Sequence, residues 1–311
     1  MIDVSKVAII GAGLLGHGIA QEFATSGFDV GLHDLSEEIL AQAKANMARN
    51  LQTLAEAGLV DGGLAESVPG RVRTSTDLEE VVRDADFVIE AVSEDLPLKQ
   101  RVFGELDRLC RHHTILASNS STFMPSSLAS ATGRPDKVLV THYFNPPYLV
   151  PAVEIVRHEG TSDETFDTAF ALFQQIGKRP VRVQKEALGF IGNRLQAALV
   201  RECFSLVDKG IASAEDIDAV VRYGLGRRLS VAGPLEIADV AGLDIYSTLM
   251  SHILPDLDAA TSPPQALAEN VRDGNLGVKT GQGTYSWTPE SSEETRQRIA
   301  NALIEIQKWS A

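Results

Sequence analysis

Lys6-Val7-Ala8-Ile9-Ile10-Gly11-Ala12-Gly13-Leu14-Leu15-Gly16-His17-Gly18 is an apolar, β-branched run that breaks into spaced glycines. Helical periodicity follows from Leu14 towards Ser26, so the stretch reads as strand, tight turn and helix N-terminus. Such a turn aims backbone N–H groups and the positive end of a helix dipole at one point, which makes a site for a pyrophosphate. Gly11 permits the turn, Gly13 lets the backbone approach phosphate oxygens, and Gly16 lets the helix pack close to the strand. Glycines alone also mark ordinary loops. What narrows the reading is a second strand, residues 28–33, ending in Asp34, about twenty residues beyond the glycines. A carboxylate there accepts hydrogen bonds from the adenosine ribose hydroxyls and repels a 2′-phosphate, so the expected cofactor is NAD rather than NADP. Asp34 also suits the first turn of the next helix, but strand, turn, helix and acid stand in the order a nucleotide site needs. Gly11, Gly13, Leu14, Leu15, Gly16 and Asp34 are therefore the first candidate cofactor contacts.

With 311 residues the chain can bury a full core and is expected to form two domains. Apolar residues at 44% and charged residues at 23% describe a globular protein, and no apolar stretch is long enough to span a bilayer. The first strand begins within a few residues of Met1, so no signal peptide is expected. Cys110 and Cys203 lie far apart and form neither a CxxC nor a metal-ligand spacing. Both read as small buried hydrophobes in a reducing cytoplasm, and no metal site is expected. The net charge of −14 argues against nucleic acid and anionic membranes as partners. It leaves open a dinucleotide or an acyl-CoA, which a few local dipoles and cations can hold.

Strand-like and helix-like segments alternate through the first 185 residues or so. Helical patterns cover residues 36–57, a segment from Asp77, 98–110 and 164–176. Strands are expected near Val72 and over 86–92, 114–118, 137–143, 152–156 and 180–184. This alternation predicts an α/β, Rossmann-type doubly wound parallel sheet, with its active site beyond the carboxyl ends of the strands. Asp34, Ser118-Asn119 and His142 fall at such ends. From Leu188 the strand pattern stops. Helices are expected over 190–208, 217–223, 235–254 (broken at Gly242) and 293–309, with a loop over 259–264. The boundary is placed near Lys185, giving a nucleotide-binding domain over 1–185 and an all-α domain over 186–311.

Three further segments bear on chemistry. Ala117-Ser-Asn-Ser-Ser-Thr122 puts small polar residues after a buried strand; such residues also cap helices, and alone the segment stays open. In Thr141-His-Tyr-Phe-Asn-Pro-Pro-Tyr-Leu-Val-Pro-Ala-Val-Glu154, His142 and Glu154 stand twelve residues apart across a proline-rich loop. If the loop folds back, the carboxylate meets the imidazole, fixes its tautomer and raises its basicity, as a general base requires. A histidine at a strand end is otherwise an ordinary residue. Gly189-Phe-Ile-Gly-Asn-Arg194 opens the first long helix of the second half. Its Asn193 either caps and packs, or faces a cleft if that helix docks on the sheet.

Taken together and in order, these segments resemble the NAD-dependent 3-hydroxyacyl-CoA dehydrogenase family. The matching stretches are Gly11-Ala-Gly-Leu-Leu-Gly16, Ile89-Glu-Ala-Val-Ser-Glu94, Ala117-Ser-Asn-Ser-Ser121, His142-Tyr-Phe-Asn-Pro146 with Val153-Glu154, Gly189-Phe-Ile-Gly-Asn-Arg194 and Gly277-Val-Lys-Thr-Gly-Gln-Gly-Thr-Tyr285. They cover essentially the whole chain. The resemblance implies that His142 takes the substrate hydroxyl proton, that Glu154 orients it, and that Ser121 and Asn193 hydrogen-bond the reacting oxygen. It further implies Glu94 and Lys99 near the nicotinamide ribose, with Asn119 beside them, and a homodimer formed through the helical domain.

The substrate is the open point. After Asn145-Pro146 this chain continues Pro147-Tyr-Leu-Val-Pro151, where acyl-CoA enzymes have Val-Pro and then Met-Lys or similar. That resembles the branch with L-gulonate 3-dehydrogenase (lambda-crystallin) and L-carnitine dehydrogenase, which act on free hydroxy acids. In that branch an arginine commonly precedes the Gly233-Pro234 pair, at the position of Arg228, where a guanidinium would grip a carboxylate. Arg228 also suits a solvated or inter-subunit arginine. Residues 46–70 hold one cation, Arg49, against Glu56, Asp61 and Glu66, whereas acyl-CoA enzymes tend to be lysine-rich there. A free L-3-hydroxy acid is therefore the expected substrate, with short-chain 3-hydroxyacyl-CoA as the alternative. A catalytically idle, crystallin-like or nucleotide-sensing protein is the alternative of another class; it would lack the His-Glu pair or the glycine turn, and both are present. A β-hydroxyacid dehydrogenase using a catalytic lysine fits the His142/Glu154 pair poorly.

Overall fold

The structure, a computed structural model, describes residues 2–309. Eight strands form one sheet: β1 (Lys6–Ile10), β2 (Asp29–His33), β3 (Arg73–Ser75), β4 (Phe87–Glu90), β5 (Ile115–Ser118), β6 (Val138–Tyr143), β7 (Ala152–Val156) and β8 (Arg179–Val183). Their order is β3-β2-β1-β4-β5-β6-β7-β8, so the order reverses between β1 and β4, where the glycine turn begins. Helices α1 (Leu14–Thr25), α2 (Glu37–Glu56), α3 (Gly62–Arg71), α4 (Leu78–Val82), α5 (Leu96–Leu109), α6 (Pro125–Ala129) and α7 (Asp163–Gln175) connect them.

The central strands alternate their side chains between two apolar layers. On β1, Val7 and Ile9 join Phe23, Leu32, Phe87 and Phe173 on one face, while Ala8 and Ile10 join Val88, Phe103, Leu116 and Val140 on the other. Burial on both faces is what a parallel sheet requires, and it explains the apolar runs of β1, β4 and β5. Helix starts follow local chemistry: Ser36, Asp61, Asp77, Asp95 and Ser162 each cap a helix by accepting from a first-turn N–H.

The expectation of a parallel sheet needs one correction, since β6 and β7 pair antiparallel while all other neighbours are parallel. Residues 144–151 connect them, and a parallel crossover needs about a dozen residues or more. This hairpin sets His142 directly opposite Glu154 in the ladder.

The chain divides into two compact units, one up to Arg194 and one over Leu195–Trp309. Residues beyond β8 stay with the first unit because Glu186 accepts from Ser126 N at 3.0 Å and Glu154 accepts from the N–H groups of Ile191 and Gly192. Helix α8 (Gly192–Asp208) runs out of it. The second unit continues with α9 (Ala214–Val220), a π-helical turn (Val221–Leu225), α10 (Gly226–Leu229), α11 (Pro234–Ala241), α12 (Leu243–Ile253), α13 (Gln265–Arg272) and α14 (Pro289–Lys308). Among the described residues its only β pairing is two isolated bridges, Gly277 with Gln282 and Gln282 with Ser286. No helix of the described residues is long and apolar enough to cross a membrane.

Candidate active site

At the end of β1 the chain turns through Gly11, whose φ of 102° is open to glycine and costly to other residues. Its N–H donates to His33 O at 2.8 Å, and a Cβ there would stand 2.7 Å from Ala91 O. At Gly16 a Cβ would stand 1.7 Å from Gly11 O, so helix and turn can meet only without a side chain. Gly13 differs: it is exposed, and a Cβ there would meet nothing within 4 Å. The space before it is open, flanked by exposed Leu14 and half-buried Leu15. Unlike the other long helices of the sheet, α1 has no side-chain cap, and it has no acid in its first turn. Its first N–H groups are thus left for an outside acceptor, as a pyrophosphate would supply. Asp34 closes the turn from β2, with Oδ2 accepting from Ala12 N and Oδ1 from Leu35 N, both at 2.8 Å. Each carboxylate oxygen keeps further lone-pair capacity for hydroxyl donors. These residues fit a dinucleotide.

Past β4, a buried charge network replaces apolar packing. Glu90, fully buried at the end of β4, accepts from Lys99 Nζ at 2.7 Å, Val92 N at 2.7 Å and Ser118 Oγ at 2.6 Å. Lys99 is itself 1% exposed and reaches Glu94 at 3.2 Å. Oε1 of Glu94 gathers the loop after β5, accepting from Ser120 Oγ at 2.6 Å, Thr122 Oγ1 at 2.7 Å and the N–H groups of Ser121 and Thr122. Burial alone would raise the Glu94 carboxyl, but hydrogen bonds from Ser120 and Thr122 and the Lys99 ammonium outweigh it and hold it below its usual value. Asn119 accepts from Tyr143 N at 3.0 Å, fastening the end of β5 to β6.

Across the β6–β7 hairpin, Nδ1 of buried His142 lies 2.7 Å from Glu154 Oε2. Glu154 Oε1 accepts from Ile191 N at 2.8 Å and Gly192 N at 2.9 Å, at the start of α8. Burial would raise this carboxyl too, but the bond from His142 and those from Gly192 and Ile191 prevail, and it is held below its ordinary value. An ionised Glu154 can only accept, so Nδ1 carries the proton and Nε2 is left as the basic nitrogen. Nε2 has no protein partner among the described residues. The imidazole is flanked by Phe144 and Phe190, at ring separations of 5.1 and 5.6 Å. Phe190 adopts a φ of 50°, a strained conformation for a non-glycine residue that turns the chain so that the next two N–H groups face Glu154. One residue further, Asn193 Nδ2 donates to Ser121 O at 3.1 Å. Within the first unit the Ser121–Asn193 and His142–Glu154 pairs are thus linked through the backbone at Gly192, whose N–H donates to Glu154 and which precedes Asn193.

Two family models divide the sequence: residues 6–187 match the 3-hydroxyacyl-CoA dehydrogenase NAD binding domain, and residues 189–287 match the 3-hydroxyacyl-CoA dehydrogenase C-terminal domain. The chain belongs to the 3-hydroxyacyl-CoA dehydrogenase family. It is an NAD-dependent oxidoreductase of that family. Among its relatives is 5-formyl-3-hydroxy-2-methylpyridine 4-carboxylate 5-dehydrogenase of Mesorhizobium japonicum, 33% identical over 307 residues and covered over 98% of both chains. The lambda-crystallin homolog of Homo sapiens is 37% identical with 97% of both covered. The 3-hydroxybutyryl-CoA dehydrogenase of Clostridioides difficile is 36% identical, with 91% of this chain and 99% of the relative covered. A solved structure of the pyridine-carboxylate enzyme, described as an NAD+ dependent dismutase, matches over 98% of both chains with a TM-score of 0.92 at 31% identity. For an (S)-3-hydroxybutyryl-CoA dehydrogenase of Ralstonia eutropha the TM-score is 0.78 at 33% identity, over 92% of this chain and 100% of the other.

Within this family member, Arg228 lies in the second unit on α10, exposed and without a side-chain partner among the described residues. Sequence reasoning overlooked Glu90, Phe144, Phe190 and the two backbone donors on Glu154. A signal existed for Glu90: a carboxylate closing an apolar strand with a lysine nine residues on must be paired or expelled. None existed for Phe190, whose role depends on a backbone angle.

Proposed function

We propose that the protein oxidises a free L-3-hydroxy carboxylate to its 3-keto acid, and reduces it in the reverse direction, with His142 as general base. The observation that carries the chemistry is the buried His142–Glu154 pair with its unclaimed Nε2. Nε2 takes the hydroxyl proton, and Glu154, anchored by two backbone N–H groups, stabilises the imidazolium that forms. Ser121 and Asn193 would steady the reacting oxygen. Gly11, Gly13, Leu14, Leu15, Gly16 and Asp34 would hold the dinucleotide, with Glu94, Lys99 and Asn119 towards its nicotinamide ribose. NAD, when bound, supplies the hydride acceptor. Its binding domain is taken as residues 1–185, with residues 186–311 serving substrate binding and dimerisation.

For the acid rather than the thioester, three observations agree. Likeness extends further into the whole chain for the enzyme of a pyridine carboxylate than for the CoA enzyme. Residues 46–70, which form parts of α2 and α3, carry only Arg49 as a cation, and Arg49 is turned onto Asn46. Arg228 offers a guanidinium without a side-chain partner among the described residues, which suits a carboxylate. The thioester reading draws on the 36% identity to a 3-hydroxybutyryl-CoA dehydrogenase. Initial rates with NAD on 3-hydroxybutyrate, gulonate, carnitine and 3-hydroxybutyryl-CoA separate the two. Turnover of a free acid is expected, with Arg228→Ala raising its KM and leaving NAD affinity alone. Good turnover of the thioester with none on any acid would overturn the proposal.

The same reading makes the enzyme a homodimer. Helices α11 and α12 contain no buried residue, yet Leu235, Val240, Leu243 and Ile245 project from them into solvent. An apolar face of that kind fits a second copy of the chain. Free thiols at Cys110 and Cys203 suit a reducing cytoplasm.

A further inference from the structure

A buried lysine lies on the sheet face away from His142. Lys178, between α7 and β8, keeps its side chain 4% exposed. Its Nζ stands 2.5 Å from Glu22 Oε2 and donates to Pro147 O, also at 2.5 Å. It further lies 5.8 Å from the centre of the Tyr143 ring. Strand alternation sends Tyr143 and His142 to opposite faces, so Lys178 cannot reach the base itself. What it reaches is the loop over residues 144–151, whose two ends carry the strands of His142 and Glu154. Glu22 belongs to α1, the helix that starts at the glycine turn. The same loop meets α1 a second time at Gly18, where a Cβ would stand 2.5 Å from the Pro147 ring.

Pro147 is thus pinned twice to the cofactor helix, by its ring on Gly18 and by its carbonyl through Lys178 to Glu22. A buried ion pair is poor value for stability alone, since apolar residues of similar volume do as well or better. We propose that Lys178, with Glu22, is a positioning residue: it ties the His142–Glu154 hairpin to α1 and so fixes the base relative to the bound dinucleotide. This rests on the reading of His142 as the base.

The test replaces the pair together, Lys178→Met with Glu22→Leu, which leaves no unpaired buried charge. A second variant, Gly18→Ala, displaces Pro147 from α1 without touching the pair. Both are assayed with whichever of 3-hydroxybutyrate and 3-hydroxybutyryl-CoA turns over, unlabelled and deuterated at C3. The expected result is a kcat lowered about tenfold or more with a larger primary isotope effect. NADH affinity should stay within about twofold and the double variant should melt no lower than the parent. Wild-type kcat and isotope effect in a folded double variant would overturn the proposal, as would the same result in Gly18→Ala should the double variant not fold. A kcat loss matched by an equal loss of NADH affinity would also overturn it. His142→Ala, run alongside, separates the failures. If it is inactive while the double variant is normal, only the tether is refuted; if it turns over normally, the base and the tether fall together.

Discussion

Glu154 joins structure and chemistry in one side chain. It is nearly inaccessible, yet its carboxyl is held below the ordinary value because His142, Gly192 and Ile191 all donate to it against the cost of burial. A carboxylate with a depressed native pKa binds its proton more tightly in the unfolded chain. It therefore contributes stability that is complete above the unfolded value of about 4.3 and is lost as pH falls through the lower folded value. Thermal melts of the parent and Glu154→Gln should accordingly differ most near neutrality and converge as pH falls from about 5 to 3. A gap that stays constant over that range would show that Glu154 is not ionised in the fold. At this scale His142, Glu154, Ser121 and Asn193 were legible because each sits in a short, ordered motif. Lys178 was not, because its partners Glu22 and Pro147 are brought near only by the folded chain.

Among elements, the glycine turn, α1 and β2 were readable because apolar periodicity and glycine spacing act locally. Gly16→Ala tests that reading, since its methyl group would fall 1.7 Å from Gly11 O. NADH affinity measured by fluorescence titration should drop at least tenfold, by roughly the 1.4 kcal/mol or more that a displaced turn costs. Unchanged affinity would mean the dinucleotide does not use this turn. The β6–β7 reversal was half legible: the proline-rich loop showed that the strands could fold back, and its shortness forbids the parallel crossover expected elsewhere. Four helices, α3, α6, α10 and α13, escaped the sequence reading. The α3 segment contains Pro69 and starts with two glycines, and it buries only Ala65 and Val68. The start of α13 is capped from afar, by Asp208 accepting from Gln265 N and Ala266 N. A cap 57 residues away in sequence leaves no local trace.

For the whole molecule, composition bears on which partners the chain would avoid and says little about what covers it. The net charge of −14 bears on partners, while the apolar faces of α11 and α12 emerge only once these helices are seen to bury nothing. Sedimentation velocity should give a single species of twice the chain mass. Ile245→Glu with Leu243→Glu should shift it to the monomer by placing charge in the shared face. A parent protein that sediments as a monomer at micromolar concentration would remove the dimer. The proposed chemistry turns on one imidazole nitrogen, Nε2 of His142. The most direct test is His142→Ala, with kcat and NADH affinity measured on the same preparation. In that variant kcat should fall by at least about a hundredfold while NADH binds as tightly as before. Turnover at the wild-type rate would contradict that chemistry.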